Sequence, residues 1–203
     1  ILEMYMNYIF LGNNAYGVEA ASATYFGKKA KDLTVLESAT LASMPQSPSS
    51  LNPYRNVSRL MGKLVVTADD ESEIGTWAME AAKKKFVDEI QASEKSIAKS
   101  SDGVSNWLSA RGDFDIEVEG KKYAVTYEPW RKDYVLSRMY EDNYIDEAQV
   151  KAALLEGVNY EFKTARIDIK APHFVFWVQE FLKSTGCEQN LLPRCFTDEE
   201  LAK

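Results

Sequence analysis

The chain has 203 residues, 45% hydrophobic and 27% charged, with a formal net charge of -7. That composition fits a folded protein with one sizeable core, or a core plus a smaller appended unit, and excludes a disordered chain. The acidic balance argues against nucleic acid as a partner, because a phosphate-tracking surface needs a net basic face. It leaves room for a small anion held by a few local Arg and Lys side chains.

No run of the sequence approaches the roughly 20 apolar residues of a membrane-spanning helix, and none has the charged-then-apolar pattern of a secretory leader. Residues 1–10 fit a helix: Ile1, Met4, Tyr5, Tyr8 and Ile9 recur at helical spacing as an apolar stripe, and Glu3 and Asn7 share another face. The run Gly12 to Gly17 reads as a loop, followed by a small-residue helix from Val18 to Phe26 with Gly27 as its C-cap. Thr34 and Glu37 form a capping box that opens a helix reaching about Met44. The stretch "PQSPSSLNPYR" (45–55) holds three prolines and is expected to be extended and rigid, a suitable wall for a cleft.

The character changes over 56–129. Trp77, Met79, Ala82, Phe86 and Ile90 trace one face of a helix, a Ser/Lys-rich stretch (93–105) reads as loosely ordered, and residues 114–127 alternate as a β-hairpin turning at Gly120. Helix and hairpin can dock on each other, so 56–129 is expected to be dispensable for the rest. Helical period returns at Arg131 with Val135, Leu136, Met139 and Tyr140 inward, and Arg131, Lys132 and Arg138 read by default as a solvated basic face. Asp146 and Gln149 form a second capping box, with Ile145 and Val150 at staple positions, for a helix ending at Gly157. Pro172 is placed to open a last apolar helix, 172–183.

Several residues are poor carriers of chemistry. Ser96 and Lys99 match the S-x-x-K pattern of acyl-serine enzymes, but they lie in the most polar stretch and the companion motifs are missing. His173, the single histidine, opens an apolar helix with no acidic neighbour, which reads as a packing residue. Cys187 and Cys195 lack the partners of a zinc site, leaving a local disulfide or two free thiols.

Four segments together carry a stronger signal. "ILEMYMNYIFLGNNAYGVEAASATYFGK" (1–28) resembles the third motif of the family 51 glycosyltransferases, the peptidoglycan-polymerising domain of class A penicillin-binding proteins. "LTVLESATLASMPQSPSSLNPYR" (33–55) is similar to the fourth motif and "RKDYVLSRMYEDNYI" (131–145) to the fifth. "APHFVFWV" (171–178) resembles the stretch that follows this domain. The family's first motif, with its principal catalytic glutamate, and its second, with phosphate-binding basic residues, match nothing in residues 1–203. The resemblance therefore implies an incomplete catalytic domain, truncated and inactive as it stands.

The implied fold is mainly α, a lysozyme-like helical domain, incomplete, with a small α/β insertion containing the hairpin. Its parts are 1–55 (motifs three and four), 56–129 (the insertion), 130–183 (motif five and C-terminal helices) and 184–203 (a linker toward a downstream domain). The implied activity is polymerisation of lipid II into β-1,4 glycan chains with release of lipid pyrophosphate, at the extracytoplasmic (periplasmic) face of the bacterial cytoplasmic membrane.

By resemblance Glu3 is the family's second glutamate, near the diphosphate or the transferring sugar, with a divalent cation (Mg or Mn) as a candidate bridge and no protein-held metal site. Arg131 and Arg138 would grip the donor diphosphate, beside Lys132. Gln46, Ser49 and Asn52 match positions that line the sugar cleft; Asn7 is either a substrate contact or a packing residue. The partners implied are lipid II, the nascent glycan chain and, through the N-terminal part, a membrane surface. An extracytoplasmic setting also favours a Cys187–Cys195 disulfide. The alternatives are a non-catalytic cell-wall interaction module built on 56–129 and a muramidase-type enzyme, which needs a pair of carboxylates or a water site but no diphosphate grip.

Overall fold

Local capping sets most helix boundaries. In the computed structural model, which describes residues 1–68 and 74–162, α1 (Leu2–Tyr8) is followed by α2 (Val18–Phe26), whose C-cap is Gly27. The Thr34–Glu37 capping box is formed from both sides and opens α3 (Val35–Ser43). The Asp146–Gln149 box does the same for α8 (Glu147–Val158). The described residues belong to one compact unit, Ile1–Ala165; a second unit, Arg166–Lys203, with the helix expected over 172–183, His173, Cys187 and Cys195, lies outside the described residues.

The remaining elements are α4 (Val57–Met61), β1 (Lys63–Thr67), α5 (Thr76–Ala92), α6 (Gly103–Arg111), β2 (Phe114–Val118), β3 (Lys121–Glu128) and α7 (Arg131–Glu141). The fold is mainly α with one small antiparallel sheet. β2 and β3 form the expected hairpin, with Val118 opposite Lys121 and a two-residue Glu119–Gly120 turn in which both residues have positive φ, as such tight hairpin turns require. Ile116, Tyr123, Val125 and Tyr127 are buried on its one apolar face. β1 joins the other edge of β3, Val66 opposite Val125, so the hairpin is part of a three-stranded sheet ordered β1-β3-β2.

Three expectations are corrected. Residues 93–105 are not loosely ordered throughout: Ile97 is buried, and α6 begins at Gly103, where the Val104 amide donates to Ser137 Oγ at 3.1 Å. Residues 45–55 are not extended. They run through successive turns, with Ser47 N bonded to the Met44 carbonyl, Leu51 N to Ser47 and Arg55 N to Asn52. Proline fixes φ near the value that both an extended strand and the first corner of a turn accept, and here the turn is chosen because it keeps Met44, Leu51 and Asn52 buried.

The third correction concerns 56–129, which is not packed as a separate body. The buried side of α5 is the i, i+4 row Ala78, Ala82, Phe86, Ile90. Its two alanines lie against the sheet with Val66, Tyr123 and Val125. Phe86 and Ile90 instead join the main core, which also holds Leu36, Leu136, Val150 and Leu154 from α3, α7 and α8. Small residues at one end let the helix approach the sheet closely, and large ones at the other fill the space between helices. The Phe86 and Tyr127 rings stack at 5.0 Å, sealing sheet to core. One helix thus serves two clusters.

Candidate functional site

Two segments distant in sequence build a polar cleft of about 280 Å³ lined by Phe10, Asn13, Asn14, Ser49, Asn52 and Arg55. The first is a miniature hairpin. Leu11 N bonds to the Ala15 carbonyl at 2.9 Å, Phe10 bridges Tyr16, and the tip residues Asn13 and Asn14 have φ of 48° and 56°. Asparagine accepts that left-handed backbone better than most side chains. Gly17 brings this hairpin against α1: at φ 83° its added Cβ would stand 2.5 Å from the Asn7 carbonyl oxygen. The second segment is the chain of turns after α3. Asn52 Oδ1 accepts from Tyr54 N at 2.8 Å, an Asx turn that leaves its NH₂ group toward other partners. Asn56 Nδ2 donates to the Ser50 carbonyl at 2.9 Å.

Tyr25 fixes both segments from behind. Its hydroxyl donates to the Leu11 carbonyl at 2.8 Å and its ring lies 5.3 Å from Tyr54, whose hydroxyl donates to the Thr24 carbonyl. Burial, then the neighbouring Tyr54, pushes the Tyr25 phenol up to about 12, so it stays a donor at any physiological pH.

Of the residues expected to bind sugar, Ser49 and Asn52 line this cleft, while Gln46 is exposed and outside its lining. Glu3 and Asn7 are exposed on α1, whose residues are all exposed, including Leu2 at 69% and Tyr8 at 76%. The apolar stripe is therefore open to solvent over residues 1–8. Only Ile9, just past the helix, packs on the core. Asn7 meets its neighbours through its backbone at Gly17.

α7 separates its three basic residues. Arg131 stacks over Tyr134 at 5.3 Å, makes no ion pair among the described residues, and its buried Nε has no hydrogen-bond partner. Arg138, 44% exposed, is paired with Glu141 and Asp142. Lys132 departs from the solvated basic face read from the sequence. It is 2% exposed and paired with the fully buried Asp133. Asp133 Oδ2 also accepts from Trp130 N at 2.9 Å, and Tyr127 Oη lies 3.0 Å from it and 3.2 Å from the Met61 carbonyl. The pair thus stitches α7 to β3 and α4, and burial followed by Asp133 pushes the Tyr127 phenol well up. Sequence reasoning missed this role, although a Lys-Asp step preceding an apolar i, i+3 row was its one local signal.

A second missed cluster centres on Glu37. Lys28 Nζ lies 2.8 and 3.0 Å from its two oxygens, Thr34 N donates at 2.9 Å, and the Tyr160 hydroxyl donates from beyond α8. Thr34 Oγ1 donates to Glu156 at 3.1 Å. Burial pushes the Glu37 carboxyl up, but the Lys28, Tyr160 and Thr34 hydrogen bonds and the Lys28 charge together hold it below its ordinary range. Glu156 has weaker support: burial, with the nearby Glu37 charge, raises it against the Thr34 hydrogen bond and the Lys28 charge. The capping box was legible as a cap, but not as the hub of this network.

Ser96 and Lys99 do not meet. Lys99 Nζ reaches Asn143 Oδ1 and the Tyr140 ring, while Ser96 lies by Glu147 and is one of the groups that hold its carboxyl below the ordinary range, after Lys151. Among the described residues no group of three or more His, Cys, Asp or Glu side chains is placed to hold a metal ion. A divalent cation at Glu3 would need its remaining ligands from a substrate, as Mg²⁺ commonly takes them from phosphates.

Residues 1–70 match the family described as Transglycosylase. Similar curated proteins are penicillin-binding protein 1A of Rickettsia felis, 43% identical over 84 residues (41% of this chain, 11% of that protein), and of Pseudomonas aeruginosa, 52% identical over 59 residues (29% and 7%). That of Clostridium botulinum is 58% identical over 59 residues (29% and 7%). A crystal structure of penicillin-binding protein 1A from Haemophilus influenzae aligns with a TM-score of 0.48 and 25% identity, over 89% of this chain and 17% of that one. The matches span 11% or less of the length of these curated relatives.

Proposed function

We propose that this chain, whose residues 1–70 match the family described as Transglycosylase, is part of a peptidoglycan glycosyltransferase, which polymerises lipid II into β-1,4 glycan and releases lipid pyrophosphate. The family match carries this reading, since it spans the residues that hold Glu3, Gln46, Ser49 and Asn52. The acceptor hydroxyl attacks the anomeric carbon of the donor chain. As that C–O bond forms, the bond to the diphosphate breaks with its electron pair, and the hydroxyl proton passes to a carboxylate base.

Negative charge grows on the leaving diphosphate, so the reaction needs positive groups aimed there. Arg131 and Arg138 are proposed for that task. Seven residues apart on α7, they stand about 10 Å apart along its axis on one side, and their long side chains can converge on one ligand. Arg131, with no acidic partner among the described residues and an unsatisfied Nε, supports the assignment. Arg138 would exchange Glu141 and Asp142 for phosphate oxygens. Glu3 is proposed to stand beside the diphosphate or the transferring sugar. The base is the family's first glutamate, which matches no position in residues 1–203, so this polypeptide by itself is proposed to be inactive.

The setting proposed is the extracytoplasmic face of the bacterial cytoplasmic membrane, although no helix among the described residues is long and apolar enough to cross one. In a polypeptide that also carries the first two motifs, Arg131→Ala or Arg138→Ala should weaken binding of moenomycin, a phosphoglycolipid inhibitor of the family. Charge-assisted contacts are worth roughly 1.5–3 kcal/mol, so a loss of about tenfold to a hundredfold is expected, and Lys at either position should recover only part of it. Undiminished binding by both folded alanine variants would overturn the diphosphate grip and favour a non-catalytic wall-binding module.

A further inference from the structure

A second cavity, of about 270 Å³, lies between residues 56–129 and the helices α7 and α8. Met61 of α4, Leu64 of β1, Phe86 of α5 and Leu108 of α6 line one side, and Leu154 and Val158 of α8 the other. Its volume falls just under the range usual for small-molecule sites, roughly 300–1,000 Å³, and an apolar wall with a few polar groups is their ordinary make-up. Glu3, Arg131, Arg138 and the residues of the polar cleft contribute nothing to it.

Lys132 decides what the cavity can hold. Its ammonium group carries three N–H donors, is buried, and meets one acceptor, Asp133, among the described residues. The other donors are left without a protein acceptor on an apolar wall, which is unfavourable for a buried charge. Asp133 also serves the Trp130 amide and the Tyr127 hydroxyl, so it neutralises Lys132 only in part. Gly157 keeps the space beside the ammonium open: an added Cβ would stand 3.9 Å from Lys132 Nζ and 3.8 Å from Met61 Cε. Every charged side chain on the wall is a lysine, Lys63, Lys83 or Lys132. Lys63 and Lys83 are partly exposed and paired at the surface with Glu128 and Glu80, so they add a weaker positive field at the outer end. A dianionic phosphate would outweigh one partly neutralised ammonium, and a plain hydrocarbon would leave its donors unmet. A carboxylate supplies one charge and two acceptor oxygens.

We propose that this cavity is a binding site for a compact apolar monocarboxylate, its acid on Lys132 Nζ and its hydrocarbon against Met61, Leu64 and Leu154. Met61 and Met79, flexible and unbranched, let the wall adjust to the chain of the ligand. The occupant touches β1 and α5 as well as α7 and α8, so it fastens residues 56–129 to the rest and stabilises the folded unit that binds it. The site is independent of the glycosyltransferase reading, whose residues lie elsewhere.

The test titrates the 203-residue chain with octanoate and with 1-octanol, its neutral counterpart, by calorimetry and amide chemical-shift mapping. Octanoate should bind saturably and about tenfold more tightly than octanol, with shifts in residues 61–64, 79–86 and 154–158. Lys132→Met should bring octanoate down to the octanol level and leave octanol affinity unchanged. Gly157→Ala meets only ordinary van der Waals contacts and keeps the fold even if Lys132→Met does not; its methyl group should weaken both ligands several-fold. Absence of saturable octanoate binding, equal binding of the two ligands by the parent, shifts centred on the exposed residues of α1, or a Gly157→Ala variant that binds like the parent would overturn the proposal.

Discussion

Gly12 lies against the backbone of Pro48, so close that an added Cβ would stand 2.6 Å from the Pro48 carbonyl oxygen and 3.1 Å from the Tyr25 hydroxyl. This joins the hairpin before α2 to the turns after α3, and the polar cleft is the space the two segments leave between them.

Gly12 also has a φ of 79°, so Gly12→Ala meets both a strained backbone and a clash with a carbonyl that cannot swing away. A loss of about 2–3 kcal/mol is expected, read as a lower urea midpoint with unchanged slope.

The Glu37 network predicts opposite pH effects for two carboxylates. The folded pKa of Glu37 is lowered, so its contribution is fully present above the unfolded value of about 4.3 and is lost as pH falls through the folded value. Glu37→Gln should therefore cost about 2 kcal/mol at pH 7, less than for a fully buried pair because Lys28 is 36% exposed. The penalty should shrink in acid. Glu156 is raised, so its charged form costs stability once pH exceeds its folded pKa. Glu156→Gln keeps an acceptor for Thr34 and should raise Tm at pH 7 but not near pH 4. Thermal melts of both variants across pH 4–8 check the signs.

Phe86 belongs to the same core as Leu36 and Leu136, so Phe86→Ala should cost about 3–5 kcal/mol and lower one cooperative transition for the whole unit. Hydrogen exchange should show amides of α3 and β3 losing protection together. Replacing 56–129 with a short Gly/Ser linker should leave no cooperative melt, since it removes Phe86, Ile90, Leu108 and Tyr127 at once. A cooperative, undiminished melt of the deletion variant would show that the helices around α3 hold without them.

Removal of Asp133 leaves Lys132 buried without its counter-charge and strands the Trp130 amide and the Tyr127 hydroxyl. Asp133→Ala should cost about 3–5 kcal/mol. Lys132→Met should cost clearly less, because Asp133 keeps two donors and the methionine fills the space. Equal losses in chemical denaturation would mean that the ion pair, rather than the Asp133 hydrogen bonds, ties α7 to β3.

Incubated with lipid II, the 203-residue polypeptide should yield no glycan polymer above a no-protein control on a gel, because residues that act as one unit lose nearly all activity when one is missing. Polymer formation would show that some carboxylate within residues 1–203 serves as the base.

What the sequence determined by itself was local. Thr34 with Glu37, Asp146 with Gln149, and Gly27 mark helix ends through bonds that span only a few residues, and the Glu119–Gly120 turn fixes the register of β2 on β3 for the same reason. Short elements escaped. α4 is five residues long, β1 draws its pairing from β3 some 60 positions away, and α6 had only Val104, Trp107 and Leu108 to signal it within a polar stretch. The likeness of residues 1–55 to a glycosyltransferase was legible as wording, but the placement of their side chains was not. Only the tertiary structure decided that Lys132 is buried while Arg138 is exposed, because the difference depends on the buried Asp133, itself held by Tyr127, pairing with the Lys132 ammonium group. It also decided that residues 45–55 turn instead of extending, and that the Asn13–Asn14 tip faces Arg55 across a cleft. Burial and charge pairing are set by neighbours distant in sequence, which periodicity along the chain does not reach.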